Sequence, residues 1–145
     1  MFRRWPKRDP NKYYYLVPNE VFNLGLSSHE IAVYNYLLRC EDRRTYQCYP
    51  SYRTIGEAVG MSRNTVAKYV RQLEEKGLIR TERTTVTLKD GRRRNGSLLY
   101  TILPPEQAVE QFNRQQLAKA EAAAERRRIQ DTLAKQAAEA PPSPL

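Results

Sequence analysis

YPSYRTIGEAVGMSRNTVAKYVRQLEEKGLIRTER, residues 49–83, is the stretch on which the fold turns. Ser51 is placed to cap a helix over 51–59, with Ile55, Ala58 and Val59 as its apolar positions. Gly60-Met61 breaks it, because glycine enters the left-handed turn at no steric cost. Ser62 then caps a second helix over 62–76, offering its side-chain oxygen to an orphan N–H of the first turn. Val66, Tyr69, Val70 and Leu73 recur at i, i+3, i+4, i+7 and form one apolar stripe. Asn64, Lys68 and Arg71 lie on the opposite side, with Arg63 at its edge, and Gly77 ends the helix. Helix, short turn, then a helix with a polar, basic outer face is a helix-turn-helix pattern. A polar outer face alone would mean only a solvated surface; the order of elements makes the pattern specific.

Downstream, residues 78–103 read as a hairpin. Leu78 and Ile79 anchor its start, and Val86 with Leu88, then Leu98, Tyr100 and Ile102, alternate with period two. Between these runs lies KDGRRRNG, residues 89–96, whose Asp90-Gly91 and Asn95-Gly96 are turn signals. That places Arg92, Arg93 and Arg94 at the tip, where they suit a flanking minor groove or its phosphates. Pro104-Pro105 closes the hairpin. From 106 to 140 the chain turns to Ala, Gln, Glu and Arg, a composition of strong helix formers. Glu110 with Arg114 and Asp131 with Lys135 are i, i+4 pairs in the stabilising order. Such a helix would run roughly 50 Å at the usual rise. Its apolar residues, Val109, Phe112, Leu117, Ile129 and Leu133, keep no clean heptad, which argues against a long coiled coil. Val109 and Phe112 are expected to pack on the domain or on a second subunit. Residues 141–145 form a tail.

Upstream, residues 1–12 are basic and carry Pro6 and Pro10, as a flexible arm would. The aromatic and β-branched run 13–17 suits a short strand. Pro18 suits the first turn of a short helix through Phe22, with Val21, Phe22 and Leu24 packing inward and Gly25 closing it. Ser27 and Glu30 form a capping box for a helix over 27–39, and Leu26 with Ile31 is spaced as a hydrophobic staple. Ile31, Tyr34, Leu37 and Leu38 give its buried stripe. Residues 41–49 read as a polar loop, and the lone His29 is given no functional role.

Charge is unevenly spread. The chain of 145 residues has a net charge of +9, and residues 1–105 hold 19 basic against 10 acidic side chains. Residues 106–145 hold six of each, so the whole excess falls on the folded part. A basic domain is the footprint expected of a phosphate-backbone binder. Cys40, Cys48 and His29 are too few for a Cys/His zinc site, and no metal or cofactor is expected. No Gly-rich phosphate loop, Ser-His-Asp set or second histidine is present, so an enzyme is not expected. No apolar run follows the basic N-terminus, and the longest, LLYTIL, is far short of the ~20 residues of a membrane span. The expected location is cytoplasmic, with both cysteines reduced.

The pieces SRNTV (62–66) and LEEKGLI (73–79), with PSYR (50–53) ahead of them, resemble the winged helix-turn-helix domains of GntR-type bacterial regulators. They resemble still more closely the stand-alone winged helices of plasmid, phage and mobile-element proteins, DnaD-like replication initiators among them. The resemblance covers residues 14–103. It implies a mainly α fold with a small β-hairpin: a winged helix-turn-helix over 13–105, followed by a long C-terminal helix over 106–140. It implies that the 27–39 helix packs across the back of the other two, and that 78–103 is the wing. It also implies double-stranded DNA as partner, read in the major groove by Arg63, Asn64 and Lys68. Arg63 suits a guanine edge and Asn64 an adenine edge. Ser62, Thr65, Arg71 and the wing arginines would take phosphate, as would Lys68 through its long stem. Arg53 stands where an arginine of the GntR-type pattern contacts DNA. One departure is Ala67, where many GntR-type domains carry a second arginine. The expected function is a small sequence-specific transcriptional regulator lacking an effector domain. A plasmid or phage replication-initiation protein, recruiting a partner through the C-terminal helix, is the alternative, and a winged-helix adaptor that no longer binds DNA is a third. A homodimer fits the first and a protein partner for the C-terminal helix fits the second.

Overall fold

Three serines set where the domain's helices begin. A computed structural model describes residues 12–139. In it Ser27 precedes α1 (Ser28–Cys40), Ser51 precedes α2 (Tyr52–Val59) and Ser62 precedes α3 (Arg63–Glu75). Each serine oxygen accepts the backbone N–H three residues on, from Glu30, Thr54 and Thr65. Each such cap contributes about 1 kcal/mol. At α1 the box is reciprocal, since the Ser27 N–H donates to Glu30 Oε1 at 3.2 Å.

The turn between α2 and α3 depends on two glycines. Gly60 takes φ +74° and caps α2 in the left-handed region. Its N–H and that of Met61 both donate to the Gly56 carbonyl, at 2.8 and 2.9 Å. A Cβ on Gly56 would run into the Met61 carbonyl oxygen. Gly56 therefore lets the chain fold back closely enough for α3 to pack on α2.

The core lies between the three helices and a small sheet. α1 contributes Val33, Tyr34, Leu37 and Leu38, α2 Ile55, and α3 Val66, Val70 and Leu73. The sheet is antiparallel in the order β1 (Gln47–Cys48), β5 (Leu99–Ile102), β2 (Ile79–Glu82). Ile79 pairs with Ile102, and Tyr100 lies opposite both Thr81 and Cys48. Tyr100 and Ile102 face the core, as the period-two reading of 98–102 requires. Beyond β2 the hairpin continues as a separate ladder of β3 (Thr85–Thr87) and β4 (Arg93–Asn95). The last element is α4 (Pro105–Glu139), 35 residues long. Its first turns dock: Ala108 is buried, Val109 and Phe112 pack at the core edge, and Gln111 Nε2 donates to the Glu75 carbonyl at 2.8 Å. Past them Leu117, Ile129 and Leu133 are exposed. The fold is thus mainly α with a small β-hairpin, a winged helix-turn-helix followed by a long C-terminal helix.

Several local expectations are corrected. Residues 13–17 form no strand; their composition favours one, but no neighbouring strand pairs with them. Pro18 does precede a short helix, a 3-10 turn over Asn19–Phe22, but it buries Val21 and leaves Phe22 81% exposed. Four residues of 3-10 helix present one inward position, and Val21 fills it. In α2, the buried direction passes through Ile55 and Gly56, so Ala58 turns outward. In α1, Val33 is fully buried while Ile31 packs only at the core edge. The 41–49 segment is not wholly loop, because β1 pairs with β5. The arm at 1–12, apart from Lys12, and the tail at 141–145 lie outside the described residues.

The wing tip is also smaller than 89–96. Leu88 N–H donates to the Arg92 carbonyl and Gly91 N–H to the Leu88 carbonyl, with Gly91 at φ +83°. The turn therefore closes at Leu88–Arg92. Arg93 and Arg94 lie in β4, paired with Thr87 and Val86. Asn95-Gly96 is not a tip turn: Gly96 N–H donates to the Thr84 carbonyl, and a Cβ there would press on the Thr84 and Val86 side chains. Glycine is needed at 96 for close packing between strands, not for chain reversal.

Candidate nucleic-acid interface

α3 has two unlike faces. Val66, Val70 and Leu73 are buried, while Asn64, Lys68 and Arg71 are exposed on the opposite side, with Arg63 exposed at the edge. Successive members of that outer stripe are three or four residues apart and so adjacent on the helix surface. Glu75 lies further along the same side, so the stripe is polar and basic in its N-terminal half and acidic at its C-terminal end. Arg63, Lys68 and Arg71 form no ion pair among the described residues. Their charges are available to an outside anion.

Ser62 and Thr65 act together. Ser62 Oγ accepts the Thr65 N–H at 3.2 Å and lies 2.8 Å from Thr65 Oγ1. Ser51 and Thr54 repeat the arrangement at the start of α2. Both helices thus begin with exposed hydroxyls beside free N–H groups, a geometry that accepts phosphate oxygens. Arg53 follows Ser51 and pairs with Glu57 at 3.1 Å, both side chains 69% exposed. A pair so open to water contributes little and opens readily.

The other end of α3 is fixed from three sides. Lys76, its C-cap, contacts both Glu30 carboxylate oxygens at 2.7 and 2.9 Å and reaches the Gly25 carbonyl at 3.4 Å. Glu74 accepts from the Thr81 N–H and hydroxyl, both at 3.0 Å, and Glu75 is held by Gln111 of α4. Burial alone would raise the Glu30 carboxyl. The hydrogen bonds from Lys76 and from the Ser27 backbone, with the attraction of the Lys76 charge, outweigh it and hold the carboxyl below its ordinary value. His29 also has a packing role, as its ring stacks on Tyr69 of α3 at 5.3 Å, with Lys68 Nζ 5.4 Å from the same ring.

On the wing Arg92 sits at the turn and pairs with Asp90 at 3.4 Å, largely in solvent. Arg93 and Arg94, both exposed, are successive strand residues and point to opposite faces of the ladder. The three arginines therefore do not form one cluster. The sequence pattern does not single out three further wing cations: Arg80 in β2, which pairs with Glu82, Arg83 between β2 and β3, and Lys89 inside the turn. Lys89 could have been included, since it belongs to the same basic run. Nothing in the local sequence marks the role of Gly56, which the three-dimensional approach of the Met61 carbonyl reveals.

Cys40 and Cys48 are unbridged, and burial pushes the Cys48 thiol up to about 12, so it stays protonated. No group of three or more metal-ligating side chains occurs among the described residues. No described helix is long and apolar enough to cross a membrane.

Comparison with known proteins matches residues 24–79 to the family described as helix-turn-helix domain. That match spans α1 to the start of β2. A search of curated proteins gives no match. Similar solved structures include a possible transcriptional regulator from Methanosarcina mazei Go1, 18% identical, covering 74% of this chain and 80% of that one with a TM-score of 0.45. A probable transcriptional regulator from Pseudomonas aeruginosa is 25% identical over 77% of this chain and 78% of that one, TM-score 0.36. Lactococcus lactis ZitR, in mutant form and in complex with DNA, is 17% identical over 89% of this chain and 85% of that one, TM-score 0.37.

Proposed function

We propose that this chain is a sequence-specific, double-stranded DNA-binding transcriptional regulator without catalytic activity, acting in the cytoplasm. The observation that carries the reading is the outer stripe of α3. Its N-terminal half is exposed, polar and basic, directly after a tight helix-turn-helix corner. In this reading Arg63, Asn64 and Lys68 meet base edges in the major groove, and Ser62, Thr65, Arg71 and Arg53 hold phosphates. Arg92 with Arg93 or Arg94 reaches flanking DNA from the wing. A homodimer would present two such helices, with α4 as the element long enough to join subunits.

The test is selection of bound duplexes from a random pool by the purified chain at physiological salt. An enriched inverted repeat with half-site centres about one helical turn apart is the expected result. A lone half-site or direct repeats would overturn the dimer and favour an origin-binding role. No enrichment, with binding lost as salt rises, would overturn sequence-specific recognition altogether.

A further inference from the structure

We propose that the cleft between residues 16–20, the C-terminal half of α1 and the start of α4 binds a small organic cation, an amine carried on an apolar body. The cleft encloses about 700 Å³, within the usual range for small-molecule sites. Leu16, Val17, Leu38 and Ile102 supply apolar wall.

Its charge runs against that of the chain. On a protein of net charge +9, the residues lining this cleft include Glu20, Glu41 and Glu106 and no lysine or arginine. Arg43, which offsets part of the Glu41 charge, lines the adjoining cleft instead. The second observation is independent of charge. Tyr34, 1% exposed, lines the cleft, and its hydroxyl is buried with no hydrogen-bond partner among the described residues. Glu41 Oε2, on the same lining, is buried and unpartnered too. Native structures rarely leave such atoms unmet, so each marks a place where a donor belongs. An ammonium group has three donors and no acceptor, which suits a carboxylate oxygen and a phenol oxygen together. A neutral alcohol supplies one donor, and a carboxylate ligand would meet three like charges.

The experiment is an NMR amide titration of the full chain with 2-phenylethylamine, 2-phenylethanol and 3-phenylpropionate. The amine should give saturable shifts at Tyr34, Leu38, Glu41 and Ile102. The alcohol should bind about tenfold more weakly, and the carboxylate should leave these amides unmoved. Glu41→Gln and Tyr34→Phe should each weaken the amine about tenfold. Their melting temperatures should stay at or above the parent's, because neither change removes a hydrogen bond of the free protein. Absence of saturable shifts with the amine would overturn the proposal. So would equal binding of amine and alcohol, or parental amine affinity in both variants. No DNA enters the assay, so its outcome is separate from that of the duplex selection.

Discussion

Replacing Glu30 with glutamine separates two tasks that one side chain performs. Glu30 is 4% exposed, closes the capping box of α1 and holds Lys76 at the end of α3. Glutamine at this position can still accept the Ser27 N–H, so the box survives. What is lost is the charge in two short contacts to Lys76, at 2.7 and 2.9 Å. Hydrogen bonds to charged groups contribute about 1.5–3 kcal/mol. Breaking a fully buried pair would cost more, roughly 3–5 kcal/mol, because a charge is stranded. Here the Lys76 side chain is 37% exposed and can turn to water, so the lower range applies. We expect a loss of about 2 kcal/mol at neutral pH, or roughly 8 °C in Tm for a domain of this size. The pH dependence follows from the direction of the shift. The folded carboxyl lies below its ordinary value, so its stabilisation is present above the unfolded pKa and disappears as pH falls through the folded one. Parent and variant should therefore differ fully at pH 7 and converge in acid below the usual glutamate range. Urea denaturation followed by circular dichroism at both pH values measures this. Equal stability at pH 7, or a difference that persists unchanged in acid, would refute the assignment.

Gly56→Val should cost about 3 kcal/mol or more, since the Cβ alone would run into the Met61 carbonyl oxygen and valine adds two further carbons in the same confined place, and both stability and duplex binding should fall together. Phe112→Ala should cost about 2 kcal/mol in urea, less than a fully buried phenylalanine, because the ring is only half-buried beside Gly25. Asn64→Ala should change preference at one or two base pairs by ~1–3 kcal/mol in a competition assay, leaving affinity for unrelated duplexes alone. Arg93→Ala and Arg94→Ala should differ from each other, one lowering the salt slope by about 1 and the other leaving it unchanged, because the two side chains leave opposite faces of β4.

The features legible in the sequence were those fixed by neighbours within four residues. Ser27, Ser51 and Ser62 announce helix starts because capping is a local bond, and all three caps form. The stripe of Val66, Val70 and Leu73 is legible because helical period alone decides which side they share. The misses over 13–17, 47–48 and 89–96 depend on partners distant in sequence. The 13–17 run has strand composition without a strand beside it, whereas Gln47–Cys48 has little strand character and pairs because β5 is there. KDGRRRNG contains two turn signals, and only the strand register decides that the first makes the turn while the second packs against Thr84. That register moved Arg93 and Arg94 off the tip. The α3 face was legible at the level of which side is outward; what it touches is not a property of the helix alone.

The contacts of α3 divide it into two halves, and this division bears on how a binding surface is held. Its C-terminal half is tied to α1 through Glu30 and Lys76, to β2 through Glu74 and Thr81, and to α4 through Glu75 and Gln111. Its N-terminal half keeps its buried stripe and its serine cap. There Arg63 and Lys68 form no ion pair with another element among the described residues, and the ring contacts are the Tyr69 and His29 stack at the edge and Lys68 Nζ over the same Tyr69 ring. An element that must read a surface needs its backbone fixed and its reading side chains unpaired, since a pair already satisfied must be broken before it can bind. The tethers at the far end supply the first condition without using any residue of the outer basic stripe. They also join α4 to the platform: Gln111 donates to the Glu75 carbonyl at the end of α3, and Gln111 and Ala108 lie beside Gly77, so the first turns of α4 back the end of α3 on the side away from the residues proposed to touch DNA.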